Sequence, residues 1–304
     1  MVSVYIDSRI IVKNTMKGII LAAGKGTRLY PATKGVAKPL LPVYDKPLIY
    51  YAIAVLLQAG IRDILVIIPP GEEASFEKLL GDGSQIGVKI QYKVQTVARG
   101  IADAFIVGED FIGTDDVCLV LGDNIFHHHD LEDMLEKAKQ DLTGAVVLGY
   151  RVADPRPFGV VEFDEQGKAV SIEEKPQNPK SDYIIPGLYF YQNDVIEIAK
   201  GLIPSAREEL EITDVNIRYM EQERLSVIPA ERGMTWLDAG TEDSLLEASV
   251  MVKALQKSGE YVGYIEEIAW RKGMIDDVQF KSLGAHLKTT KYGQHLLRCL
   301  NENR

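Results

Sequence analysis

Short apolar runs recur along the first half of this chain, at 17–23, 62–68, 88–94, 116–121 and 144–150. Between them lie stretches with helical spacing, at 47–59, 72–80, 100–108 and 130–140. Runs of this length predict strands, and the intervening period near 3.6 residues predicts helices. Their alternation predicts a Rossmann-like α/β fold, a mixed and mostly parallel sheet with helices on both faces. Gly60 is placed to close the first helix, and Asp130 to cap a helix opening at Leu131.

After Tyr150 the pattern changes. Strand-like pieces at 158–163, 169–172 and 183–191 follow closely, and 164–167 (DEQG) has the composition of a hairpin turn. They predict a β-rich insertion beside the sheet. Helices are expected again near 193–200 and 211–222, and from Thr241 the tail reads as mainly helical. The expected organisation is an extension over 1–15, a core over 16–240 built from parts at 16–150 and 151–240, and a helical C-terminal region over 241–304. The chain shows no internal repeat and no low-complexity tract.

With 304 residues, 46% hydrophobic and 26% charged, the chain can bury a core without disulfide staples. Its formal charge of −10 excludes a broad basic surface for nucleic acid or an anionic membrane. A phosphate site must therefore be a local cluster of cations on an acidic protein. No apolar stretch is long enough to span a bilayer. Asp7, Arg9 and Lys13 interrupt the apolar residues at the start, so no signal-peptide core is read there. Cys118 and Cys299 stand far apart, outside any metal-ligand spacing. Cys118, within an apolar run, reads as a buried core thiol, and a reducing cytoplasm is the expected compartment.

Candidate chemistry begins at 21–31, LAAGKGTRLYP. Gly24 and Gly26 follow a predicted strand, where backbone amides commonly cradle a phosphate. The dinucleotide fingerprint is incomplete, because Leu29 takes the place of the third glycine, and no G-K-[ST] closes a Walker loop. A hydride-transferring dehydrogenase is thereby disfavoured. Two glycines alone fit a plain strand-to-helix turn equally well. Arg28 tips the balance, since a guanidinium can chelate two phosphate oxygens. Lys38 adds a point charge in a stretch with few others, although a solvated surface lysine is the alternative. Asp123 falls at the carboxyl end of the strand predicted at 116–121, where open α/β sheets bind ligands. Taken alone, Asp123 and Asp238 would each be turn or cap residues more often than ligands.

The run 18–31 (GIILAAGKGTRLYP), followed by 38–42 (KPLLP), resembles the signature of the sugar-1-phosphate nucleotidylyltransferases. The similarity continues through 44–51 (YDKPLIYY), 59–65 (AGIRDIL), 80–84 (LGDGS), 121–126 (LGDNIF), 158–163 (FGVVEF) and 173–176 (EEKP). It extends through 187–191 (GLYFY), 210–216 (LEITDVN), 236–241 (WLDAGT), 266–273 (EEIAWRKG) and 291–297 (KYGQHLL), so that nearly everything from Met16 onward matches. Within the family it is most similar to the branch that makes dTDP-glucose from dTTP and glucose-1-phosphate.

That resemblance implies attack of a sugar phosphate on the α-phosphorus of a nucleoside triphosphate, with Mg²⁺ as cofactor. It implies catalytic roles for Arg28, Lys38 and Lys175, and nucleotide binding by Leu21, Ala23, Gly24, Gly26, Thr27, Gln95, Gly100 and Asp123. Sugar binding falls to Gly159, Glu174, Lys175, Ile185 and Tyr189, and metal binding to Asp123 and Asp238. Thr213 and Asp214 lie near the pocket. On this reading 16–150 is the nucleotide-binding part and 151–240 the sugar-binding part. The tail would serve a homotetramer and a regulatory nucleotide-sugar site.

Several positions depart from the thymidylyl pattern. Ala23 replaces a glycine, Pro39 a glutamine, Thr96-Val97-Ala98-Arg99 a Pro-Ser-Pro-Asp, and Ile185-Pro186 a Val-Thr. The stretch 96–99 sets a cation beside the base pocket, and UTP stays open as the alternative to dTTP. A non-catalytic nucleotide-sugar-binding regulator is disfavoured because every cation and carboxylate is present. His127, His128 and His129 are read as a rim loop rather than a metal site, since consecutive residues rarely converge on one ion. Tyr50 and Tyr51 are read as core or interface packing.

Overall fold

Ile19 and Ile20 are both fully buried on one strand, and adjacent strand residues point to opposite faces, so this strand needs cover on both sides. A computed structural model of the chain describes residues 15–302 and supplies that cover. The expected extension over 1–15 lies outside the described residues except for Thr15.

In chain order the first part holds β1 (Met16–Leu21), β2 (Pro42–Val43), β3 (Lys46–Pro47), α1 (Ile49–Gln58), β4 (Asp63–Ile68), α2 (Glu73–Leu80) and β5 (Lys89–Val94). It continues with α3 (Asp103–Val107), α4 (Glu109–Ile112), β6 (Asp116–Leu121), β7 (Asn124–His127), α5 (Leu131–Gln140) and β8 (Ala145–Arg151). Then come β9 (Gly159–Phe163), β10 (Ala169–Glu174), β11 (Tyr183–Ile184), β12 (Leu188–Tyr191), α6 (Val195–Lys200), α7 (Ile212–Glu221), β13 (Leu225–Pro229) and β14 (Thr235–Asp238). The tail forms α8 (Glu242–Ser258), α9 (Ile265–Arg271), α10 (Asp277–His286) and α11 (Lys291–Glu302).

One sheet of ten strands runs β10-β9-β11-β8-β12-β6-β1-β4-β5, with β13 also paired to β8. Its β6-β1-β4-β5 core is parallel, as the strand–helix alternation requires. Ile19, Leu65 and Leu119 pack on one face with residues of α3, α6 and α7, and Ile20, Val66 and Val120 on the other with α1, α5 and the tail. The β-rich segment was expected beside the sheet. It extends the same sheet instead, because β8 pairs with β12 at one end and β11 at the other.

β11 and β12 are one strand interrupted at 185–187. Ile184 pairs with Tyr150 and Tyr189 with Val147, so five steps on one side oppose three on the other. This bulge re-aims the backbone at Ile185, Pro186 and Gly187. Gly60 ends α1 as expected: its amide donates to the Leu57 carbonyl, and that of Ile61 to the Leu56 carbonyl. Asp130 occupies the N-cap position of α5, but its side chain makes no capping bond. Its carboxylate pairs with His129 Nε2 at 2.9 Å instead. Cys118 is fully buried, and burial pushes its thiol well up in pKa.

The helical tail is built into the molecule rather than hung from it. Tyr264, Ile265, Ala269, Phe280 and Leu296 belong to the same core as Ile20 and Ile53. α8 starts with a reciprocal capping box between Thr241 and Ser244 and packs over Val43 and Ile125 through Ala248 and Val252.

Candidate active site

At the carboxyl ends of β1 and β6 the chain opens a cleft of about 850 Å³. β1 stops at Leu21, and the Gly122 amide donates to the Leu21 carbonyl, so the two strand ends leave the sheet together. Leu21, Ala23 and Gly24 wall the cleft. Gly26 takes a left-handed conformation (φ 60°, ψ 25°) and turns the chain into a short 3-10 turn at Thr27–Leu29. A side chain there would be strained, and its Cβ would stand 3.3 Å from Lys38 Cβ. Gly26, Thr27 and Lys38 therefore lie behind the cleft wall and shape the loop, whereas Arg28 faces the opening.

Lys38 is no solvated surface lysine. It is 7% exposed, and its Nζ lies 2.5 Å from Asp123 Oδ2. The other oxygen, Oδ1, accepts from Asn124 Nδ2 at 2.7 Å. Asn124 is itself pinned, since its Oδ1 accepts from the Trp236 indole at 2.6 Å and from the Gly187 amide at 3.3 Å. Asp238 arrives on β14, which pairs with β7 so that Asp238 lies opposite Asn124. The Ala239 amide also donates to the Asp123 carbonyl at 3.0 Å. A Cβ on Gly240 would stand 2.8 Å from Asp238 Oδ2 and 3.2 Å from Arg28 Nη2, so both groups flank one spot.

The two carboxylates titrate in opposite directions. For Asp123, burial acts upward, but the charge and hydrogen bond of Lys38 with the bond from Asn124 outweigh it and hold the group below the usual value. For Asp238, burial and then the charge of Asp123 push it up, against weaker opposition from Lys38 and Arg28. No side chain forms an ion pair with Asp238 among the described residues.

On one flank of the cleft stand Gln95 and Gly100. Gln95 Nε2 donates to Asp103 Oδ2 at 2.8 Å, and Arg99 Nη2 donates to Asp103 Oδ1 at 2.7 Å. The cation expected beside the base pocket is thus turned onto Asp103. Gly100 has φ 101° and meets Leu210 so closely that a Cβ would stand 2.4 Å from the Leu210 carbonyl oxygen.

The opposite flank is built by β9, β10 and the bulge. Gly159 pairs with Glu174, and Ile185, Pro186 and Tyr189 line the wall beside them. Lys175 takes a left-handed conformation (φ 45°), uncommon for a residue with a side chain, as β10 ends. Glu174 accepts from Thr213 Oγ1 at 2.5 Å and from Arg207 Nη2 at 3.2 Å. Arg207 also reaches Glu211 at 2.7 Å and Glu209 at 3.3 Å. Tyr189 is buried, and burial with the charges of Glu174 and Asp123 pushes its hydroxyl well up in pKa.

Arg207, Asn124 and Trp236 were not singled out as site residues by the sequence reading, yet they line this cleft. Arg207 offered one signal, a lone arginine ahead of three glutamates in 207–211 (REELE). The histidines leave the cleft: His127 pairs with Glu260 at 2.8 Å, and His128 is buried with its Nε2 unpartnered among the described residues.

The family model described as nucleotidyl transferase matches residues 17–254. The glucose-1-phosphate thymidylyltransferase of Neisseria gonorrhoeae is 54% identical over 288 residues, covering 94% of this chain and 100% of the relative. That of Mycobacterium tuberculosis strain H37Rv is 52% identical over 289 residues, covering 95% and 100%. Among solved structures, a chain described as a glucose-1-phosphate thymidylyltransferase from Bacillus anthracis, in complex with sucrose, matches with TM-score 0.73 and 43% identity over 78% of this chain and 95% of that one. A UDP-glucose pyrophosphorylase complexed with UDP-glucose matches with TM-score 0.69 and 26% identity over 80% and 100%.

Proposed function

The chain belongs to the nucleotidyl transferase family, and from that premise we propose that it transfers the thymidylyl group of dTTP to glucose-1-phosphate, giving dTDP-glucose and pyrophosphate. One observation carries the reading. Arg28, Asp123 and Asp238, with Lys38 behind them, face Glu174, Lys175 and Arg207 across a single cleft.

The acceptor phosphate is already ionised, so the site needs no general base. One of its oxygens bonds to the α-phosphorus as the bond to the bridging oxygen breaks, and pyrophosphate leaves with that electron pair. Two polyanions must be held in line, which calls for positioning and for charge stabilisation. Arg28 would neutralise the triphosphate beside the backbone of Ala23 and Gly24, Lys38 would add its charge from behind the wall through Asp123, and Gln95 would hold the base. Lys175 and Arg207 would hold the acceptor phosphate. Glu174 would accept from sugar hydroxyls between Gly159, Ile185 and Tyr189.

Asp123 and Asp238 are the residues that would hold Mg²⁺. Two adjacent carboxylates, one of them pushed up by burial and then by the charge of the other and lacking an ion-pair partner among the described residues, make an oxygen donor set short of positive charge. When bound, Mg²⁺ supplies charge neutralisation at the reacting and leaving phosphates.

Pyrophosphate release with glucose-1-phosphate and Mg²⁺ tests the reading, with dTTP, UTP, CTP, ATP and GTP offered separately. A clear dTTP preference supports it. Preference for UTP moves it to uridylyl transfer, a reading favoured by the likeness to a UDP-glucose pyrophosphorylase. Silence with all five, and with other sugar phosphates, overturns it.

The tail supports two further readings. A smaller cleft of about 270 Å³ is lined by Lys253, Lys257, Lys291 and Arg298 beside Tyr44 and Tyr261, which suits the diphosphate and rings of a regulatory nucleotide-sugar. The helices around it would serve a homotetramer, and a monomer by light scattering would count against that. Cys118 is a free and fully buried thiol, which suits a cytoplasmic enzyme.

A further inference from the structure

A chain of hydrogen bonds from Arg99 through Asp103 ends at Gln95 on the cleft wall. Asp103 is 1% exposed, with one oxygen taken by Gln95 Nε2 and the other by Arg99 Nη2. A carboxylate accepts hydrogen bonds and does not donate them, so the Gln95 amide can face Asp103 only through its nitrogen. Turning the amide over would set its oxygen against the carboxylate with no proton between them, which is costly at a buried position. Gln95 lines the cleft, and its Oε1 has no hydrogen-bond partner among the described residues. The atom left for a ligand is therefore an acceptor, with the second amide hydrogen beside it. Arg99 stands four residues before Asp103 and balances its charge, with its own side chain half exposed.

We propose that Arg99 and Asp103 are positioning residues that lock Gln95 with its oxygen toward the base, so that the site takes a pyrimidine bearing N3–H flanked by carbonyls and rejects cytosine. Thymine and uracil share that edge, whereas the N3 of cytosine accepts and its neighbour donates. The relay therefore excludes CTP and leaves dTTP and UTP undivided. It rests on the nucleotidyl transfer proposed above and adds how the base is chosen. It also gives the unusual Arg99 a role at one remove from the nucleotide.

Asp103→Asn is the near-isosteric test, because a carboxamide can meet the Gln95 amide in either orientation. kcat/KM is measured for dTTP, UTP and CTP with glucose-1-phosphate, for wild type and variant. The wild type is expected to discriminate strongly against CTP. In the variant the ratio of the better of dTTP and UTP to CTP is expected to fall about tenfold or more, chiefly through KM. Arg99→Ala, at a half-exposed position, is the second variant should Asp103→Asn not fold, and it is expected to relax the ratio in the same direction by about threefold or more. A merely structural role would lower all three values together. An unchanged ratio in a folded variant overturns the relay and leaves nucleotidyl transfer standing. Absence of turnover by the wild type with any triphosphate overturns both.

Discussion

Lys38 and Asp123, 85 residues apart in the chain, meet at 2.5 Å where the ends of β1 and β6 open the cleft. The pair keeps a half-buried carboxylate ionised next to a second carboxylate, Asp238, which stays without an ion-pair partner among the described residues. One lysine thus holds charge in the place where two anionic substrates would meet.

Replacing Lys38 by methionine keeps most of its volume and removes that charge. We expect kcat to fall about a hundredfold or more, as for the loss of a preorganised charge at a reacting group. Asp123 then keeps its burial opposed by the Asn124 bond and a backbone hydrogen bond alone, so its carboxyl group should rise in pKa and Mg²⁺ binding should be lost at a higher pH than in wild type as the solution is acidified. Initial rates at saturating substrate, together with a Mg²⁺ titration repeated as pH falls, check both effects. A kcat close to wild type would remove Lys38 from the machinery.

Asp238→Asn should make the protein more stable and less active. The raised pKa of Asp238 means that the folded state binds its proton more tightly than the unfolded chain does. Its ionised form therefore costs stability at neutral pH, and that cost is relieved as pH falls through the raised value. Asp123 has the opposite sign: its contribution is present above the ordinary carboxylate value of 3.8 and is lost as pH falls through its lowered one. The variant should melt above wild type by roughly 1–3 °C near neutral pH, by less at mildly acidic pH, and should have lost most turnover. Melting below wild type at neutral pH would show that the two aspartates do not repel as inferred.

The parallel core was legible because a buried parallel strand needs continuous apolar residues, and the runs at 17–23, 62–68 and 116–121 supply them. β7, β13 and β14 were missed: 124–127 and 235–238 are four residues each, too short for a period to show. β13 is mostly half-buried and carries a weak alternation. The missed β7–β14 ladder is what sets Asp238 beside Asp123. Only the family resemblance linked those two residues, and nothing in their local spacing did. Asp103 was hidden for another reason. An acidic residue in the first turn of a helix reads as a dipole partner, and its bond to Gln95 requires β5 and α3 to be already packed.

Gly100→Ala should destabilise the fold and also raise KM for the triphosphate. The added Cβ would meet the Leu210 carbonyl oxygen at 2.4 Å and its amide nitrogen at 2.7 Å, at a φ of 101° that alanine rarely adopts. The Ala102 amide donates to the Leu210 carbonyl and the Leu210 amide to the Arg99 carbonyl, so the clash falls on the strap joining the two flanks of the cleft. A loss of about 1–3 kcal/mol is expected for overpacking of this kind, read by urea unfolding. An alanine variant of wild-type stability would mean that the strap yields at little cost.

Arg207→Ala separates the two flanks. Its guanidinium is shared by Glu174, Glu209 and Glu211, and none of these contacts involves the Lys38–Asp123 cluster. Removing it takes a cation from the acceptor flank and leaves Glu174 and Glu211 facing each other without it. KM for glucose-1-phosphate should rise about tenfold or more, as for loss of a charge-assisted contact, while KM for dTTP changes much less. Arg207→Lys should recover only part of the loss, because an ammonium cannot serve several carboxylates and a phosphate as a planar fork does. Initial rates with each substrate varied in turn check this. Equal rises in both KM values would mean that Arg207 holds the cleft together as a whole, and it would then no longer belong to the acceptor site.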